Sequence, residues 1–101
     1  MYMKDMLVMR IKLIALSQIR NIEDSVKRNP MAYRKDTMEY CEAMYDIIAS
    51  MSKERLTRIV VPIYENYEEM GMADDCYVAD SLMMIVLALY QNEIGEETIY
   101  D

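Results

Sequence analysis

Two glycines and two prolines are all the strong backbone punctuation in this chain of 101 residues. A sheet of short strands needs frequent turns, usually built on Gly, Asn-Gly or Pro, so their scarcity argues against an all-β fold. Pro30, Pro62, Gly71 and Gly95 divide the chain into a few long stretches. Within them apolar residues recur at steps of three and four, the spacing that lines one face of a helix. At this length there is material for one core and not for two. The sequence therefore predicts an all-α, up-down bundle of about four helices, at residues 4–28, 37–51, 53–70 and 75–93. They form a single domain over 1–95, followed by an acidic, frayed tail at 96–101.

In the first helix Leu7, Ile11, Ile14, Gln18, Ile22 and Val26 make the stripe, widened by Met9, Leu13 and Leu16. Lys27 and Arg28 complement the dipole of its last turn, and Asn29-Pro30 ends it. Asp36 with Glu39 has capping-box spacing for the second helix, which should bury Met38, Cys41, Met44/Tyr45, Ile48 and Met51. Ser52 is the cap of the third, with Leu56, Ile59/Val60, Ile63, Tyr67 and Met70 inward, and Gly71 closes it. Pro62 lies inside that helix and predicts a kink or break, because its ring removes a hydrogen bond and crowds the preceding turn. Asp74 or Asp75 caps the fourth, in which every residue from 82 to 90 is apolar. A helix apolar all round is enclosed by protein. The wide first stripe and the fourth helix exceed what a small monomer covers, so a homodimer joined through the first and fourth helices is expected.

The apolar residues are unusual in kind: twelve Met and nine Tyr, with no Phe and no Trp. Met fills irregular gaps between helices and also adapts to varied partners. Cys41 and Cys76 sit among apolar residues of separate helices and are expected to be buried free thiols, as suits a reducing cytoplasm. The apolar stretch 6–16 is interrupted by Arg10 and Lys12, and 82–90 is too short for a bilayer. The expectation is a soluble cytoplasmic protein with no membrane partner.

There is no histidine. This removes Ser-His-Asp and Cys-His catalysis, His-based zinc sites and the usual base at neutral pH. With Gly71 and Gly95 the only glycines, no loop can cradle phosphate as P-loops and dinucleotide fingerprints do. What remains is carboxylate chemistry with Mg²⁺ or Mn²⁺. Glu39 and Glu42 share a helix face by the three-residue rule, and Asp46 extends it. Glu39-Tyr40-Cys41-Glu42, with Asp80 in Val78-Ala79-Asp80-Ser81-Leu82, resembles the all-α nucleotide pyrophosphohydrolases of the MazG kind. That family sets a Glu-x-x-Glu pair and a Glu-x-x-Asp pair around Mg²⁺. The resemblance, over about a third of the chain, implies Glu39, Glu42 and Asp80 as metal ligands; Tyr77 stands where the second pair needs Glu. Read as residues alone, Glu39 is a cap, Glu42 a solvated carboxylate, and no cofactor is called for.

Net charge is −7, unevenly spread. Residues 1–35 hold eight Lys/Arg against three Asp/Glu, a balance of +5, and 36–101 hold three against fifteen, a balance of −12. Charge therefore disfavours direct binding to nucleic acid, although the basic first connection leaves a DNA-binding regulator as one reading. The leading expectation is a non-catalytic protein-interaction module: an accessory subunit, an adaptor or a small acidic inhibitor with a basic protein partner. A narrower form is a nucleic-acid mimic, the strategy of some small phage-encoded inhibitors. Tyr33, Arg34 and Lys35 in the first connection, and Glu65, Glu68 and Glu69 in the third helix, are the candidate contacts. The Mg²⁺- or Mn²⁺-dependent pyrophosphohydrolase is the alternative.

Overall fold

The computed structural model describes residues 2–92, without the side chains of residues 2 and 3. Four α-helices account for most of them: α1 (Tyr2–Arg28), α2 (Thr37–Ser50), α3 (Lys53–Glu69) and α4 (Asp75–Gln91), with a 3-10 turn at Pro30–Ala32. No strand occurs among the described residues. The bundle measures 43 × 30 × 21 Å. The expected tail at 96–101 and the stop at Gly95 lie outside the described residues.

α1 is the organising element. It packs against each of the other helices, and so does α4. Polar contacts fix the directions. Lys12 Nζ donates to the Ala49 carbonyl (3.2 Å) in the last turn of α2, while the Arg20 guanidinium lies over the Tyr45 ring, so α2 runs back along α1. Lys12 also puts a cation at a C-terminal dipole that has no basic residue of its own. Arg10 pairs with Asp75 at the start of α4 (2.7 Å), whereas Ile22 lines a recess with Leu87, so α4 follows α1 in the same sense and not, as the expected up-down order requires, in the opposite one. Lys53 binds Asp5 (3.0 Å) and ties the start of α3 to the start of α1. α2 and α3 are joined by two residues yet make at most marginal contact with each other.

The core is one cluster fed by all four helices: Val8, Ile11, Ala15 and Ile19 of α1, Ile47 and Ile48 of α2, Leu56 and Val60 of α3, and Leu82 and Val86 of α4. The centre of the α1 stripe is therefore shifted from the expected one. Leu7, Ile14 and Ile22 pack at its margin, and Met9 and Leu13 stand 46% and 60% exposed. α4 is not enclosed all round: Met84 is 64% and Ile85 37% exposed. Met70, expected inward, is 53% exposed.

Three helix ends follow the sequence. Ser52 Oγ accepts the Arg55 N–H, and Asp74 accepts the Cys76 N–H at 2.8 Å. Gly71, at φ +70°, lets the chain turn so that Met72 and Gly71 donate to the Tyr67 and Glu68 carbonyls, a Schellman closure. The fourth does not. Asp36 has helical backbone angles and makes no side-chain cap; its carboxylate binds Arg34 (3.1 Å), so the capping box with Glu39 is absent. α3 continues through Pro62, which sits on an exposed position where the missing N–H bond is least costly.

Candidate functional site

Pro62, Ile63, Asn66 and Tyr67 recur on α3 at helical spacing and, with Met70 at its C-cap, form one stripe beside α4. α4 answers with Asp80, Ser81, Met84 and Ile85, and together they line an open, largely apolar groove of about 610 Å³. Its floor is fixed. The Tyr67 hydroxyl and Ser81 Oγ lie 2.9 Å apart in a hydrogen bond, and the Tyr67 ring stacks on Tyr77 with centroids 5.9 Å apart. Its walls are adaptable, because the thioethers of Met70 and Met84 are free to rotate into whatever space they meet.

The charge around this groove is mostly negative, with Arg58, one turn before Pro62 on α3, the nearest cation. From residue 59 onward the sequence contains no Lys and no Arg. Glu65 and Glu69 follow Pro62 by three and seven residues and so share its outer edge of α3, while Glu68 lies further round; all three are exposed. Asp80, exposed, belongs to the groove itself. Of the carboxylates here Asp75 is neutralised by Arg10 and Asp74 is engaged in capping. Glu65, Glu68, Glu69 and Asp80 form no ion pair among the described residues.

A second recess, of about 420 Å³, lies between α1 and α2 and has the opposite character. It is lined by Arg20, Glu23, Lys27, Met38, Glu42, Tyr45 and Asp46, cations and carboxylates together. Glu23 is 4% exposed and takes a hydrogen bond from Arg20 (2.9 Å), whose guanidinium sits 3.7 Å above the Tyr45 ring. The bond to Glu23, followed by the contact with Tyr45, holds the Arg20 proton more firmly than usual. A third, shallower apolar patch of about 380 Å³ runs along the outside of α1 over Met6, Met9 and Leu13.

Tyr33, Arg34 and Lys35 are exposed in the connection before α2, and Arg34 lines a recess with Leu87 and Gln91 near the end of α4. Glu65, Glu68 and Glu69 stand near the start of α4, where Tyr67 meets Tyr77. The two expected contact groups thus occupy opposite ends of the molecule. Glu39 and Glu42 are exposed on α2, and Glu42 faces the polar recess while Asp80 faces the groove. Among the described residues no group of three or more His, Cys, Asp and Glu is arranged to hold a metal ion. Cys41 is buried as expected, and burial, followed by the nearby Glu23 and Glu42 carboxylates, pushes its thiol up. Cys76 is instead exposed, in the first turn of α4; desolvation and then Asp74 push its thiol up as well. Among the described residues no helix is long and apolar enough to cross a membrane.

No family model matches the chain, and no curated protein and no solved structure is significantly similar to it. Of the groove residues, sequence marks Pro62 only as a kink and Met70 only as inward-facing, and it does not distinguish Met84 and Ile85. Their signal was present in the Met at 84 and the uninterrupted apolar run around it, but not the direction in which that run faces outward.

Proposed function

We propose that this chain is a non-catalytic protein-interaction module, an accessory subunit, adaptor or small acidic inhibitor working in the cytoplasm. The observation that supports it is the α3–α4 groove, where Met84, Met70 and Ile85 stand in solvent above a hydrogen-bonded floor. Such side chains are costly to leave in water, and covering one fully is worth roughly 1.5–3 kcal/mol. Exposed apolar surface gathered in one place, rather than scattered, is the usual mark of a binding site. The residues for nucleophilic or acid–base catalysis at neutral pH are scarce in a chain without histidine.

The test is affinity capture from cells that encode the protein, using the wild-type chain and a Met84→Glu/Ile85→Glu variant. Both positions are solvent-exposed, so the variant should keep the helical circular dichroism and melting temperature of the parent. A protein retained by the wild type and lost by the variant is the expected result. Identical protein sets on both, or none on the wild type, would count against the module.

A further inference from the structure

We infer that the α3–α4 groove receives a cationic amphipathic helix of a partner protein, with its apolar face on Met70, Met84 and Ile85 and its Lys and Arg side chains over Asp80, Glu65 and Glu69. This rests on the interaction-module reading and names the chemistry of the partner. Shape is the first argument. α3 and α4 form a hairpin, since Tyr67 near the end of one meets Tyr77 and Ser81 near the start of the other. A groove between two such helices seats a third helix by the same ridge packing that builds a bundle. The exposed α4 positions Tyr77, Met84 and Ile85, with the half-buried Ser81 between them, span about two helical turns at 1.5 Å per residue, the reach of anchors at i, i+3/4 and i+7.

Charge is the second argument, and it selects among occupants. The groove and its edge carry four carboxylates, Glu65, Glu68, Glu69 and Asp80, against one cation, Arg58 at the far end of the α3 edge, and the chain beyond Arg58 supplies none. A cationic helix meets opposite charge along the α3 edge and at Asp80, and an acidic one meets repulsion. A second copy of the chain would offer the outer α1 patch of Met6, Met9 and Leu13. The cation beside that patch, Arg10, is already bound to Asp75 at 2.7 Å within its own chain. Residues 93–101 of the chain carry Glu93, Glu96, Glu97 and Asp101 and no base, so their charge suits this groove no better. Methionine is the third argument: Met70 and Met84 accommodate helices of varied side-chain shape without moving the backbone.

The experiment titrates the full ¹⁵N-labelled chain with a model Leu/Lys amphipathic helix of about 18 residues and with its Leu/Glu counterpart. Saturable shifts at Tyr67, Met84 and Ile85 with the Leu/Lys peptide, and none with Leu/Glu, are expected. Met84→Gln should weaken this binding about tenfold, and Asp80→Asn with Glu69→Gln about fivefold, the latter difference shrinking at high salt. Equal binding of both peptides overturns the charge argument. Shifts centred on Met6, Met9 and Leu13, or on Met31 to Lys35, overturn the location. Sedimentation showing a dimer that Met84→Glu dissolves makes a second copy the occupant and overturns the proposal. If a cellular partner is captured through the groove but the Leu/Lys peptide fails to bind, the cationic helix falls and the module stands. If the peptide seats in the groove and no cellular partner is captured, the module falls instead.

Discussion

The α1–α2 recess and the α3–α4 groove are of similar construction, each a cleft between two helices, yet they differ in where their interactions are satisfied. In the recess Arg20 answers Glu23 at 2.9 Å and lies on Tyr45, so charge and ring find partners inside the chain. In the groove the polar floor is closed by Tyr67 and Ser81, but the Met side chains and the carboxylates at its edge face solvent. A cleft satisfied from within contributes to folding. One left apolar and acidic contributes to association. The difference traces to the distribution of cations along the chain, which cease at Arg58.

The sharpest way to break this comparison uses two positions on α4. Leu82 is fully buried, and Leu82→Ala should destabilise by about 2–5 kcal/mol in urea unfolding. Met84→Ala, two residues on, should change stability by less than about 0.5 kcal/mol while impairing binding. Comparable losses of stability would mean that the groove belongs to the core. Smaller effects attend the helix ends. Ser52→Ala and Asp74→Ala should each cost about 1 kcal/mol, whereas Asp36→Ala, whose carboxylate caps nothing, should show no capping loss in the same assay. Tyr67→Phe removes the bond to Ser81 and should cost about 0.5–1.5 kcal/mol, loosening the groove floor. In the recess, Arg20→Met should lower the melting temperature more than Arg34→Met, because Arg20 faces the buried Glu23 and Arg34 only the part-exposed Asp36.

The smallest effect is expected in the pH dependence. Burial raises the Cys41 thiol above its unfolded value, so the folded state holds that proton more tightly. Its contribution is fully present below the ordinary thiol range and is lost as pH rises through the folded value. Alkaline melting curves of the wild type should therefore fall more steeply than those of Cys41→Val. Parallel curves would remove Cys41 as the source. Iodoacetamide should label the exposed Cys76 before Cys41.

Fold class was legible because local signals agreed with one another. Ser52, Asp74 and Gly71 each make the bond their residue type and place suggest. Asp36 misled because Arg34, two residues earlier, competes for its carboxylate, and pattern alone does not weigh an ion pair against a cap. The α1 stripe is centred on Val8, Ile11, Ala15 and Ile19, one residue round from Leu7, Ile14 and Ile22, because both sets have helical spacing and only the packing of three neighbouring helices decides between them. Site residues were harder still. Charge marks Glu65 and Glu69 in the sequence without the apolar groove that gives their position meaning, and Met84 and Ile85 lie in a run with no polar residue to mark its outer side.

The cation-free half has a consequence at the bench. Trypsin cuts after Lys and Arg, so it leaves residues 59–101 as a single peptide containing all of α4 and the groove wall of α3. Amine-reactive cross-linkers likewise find no lysine there. A partner seated on the groove would be registered by such reagents only through its own lysines. Coupling to carboxylates, or oxidative footprinting at Met70 and Met84, reads the surface that lysine chemistry leaves blank.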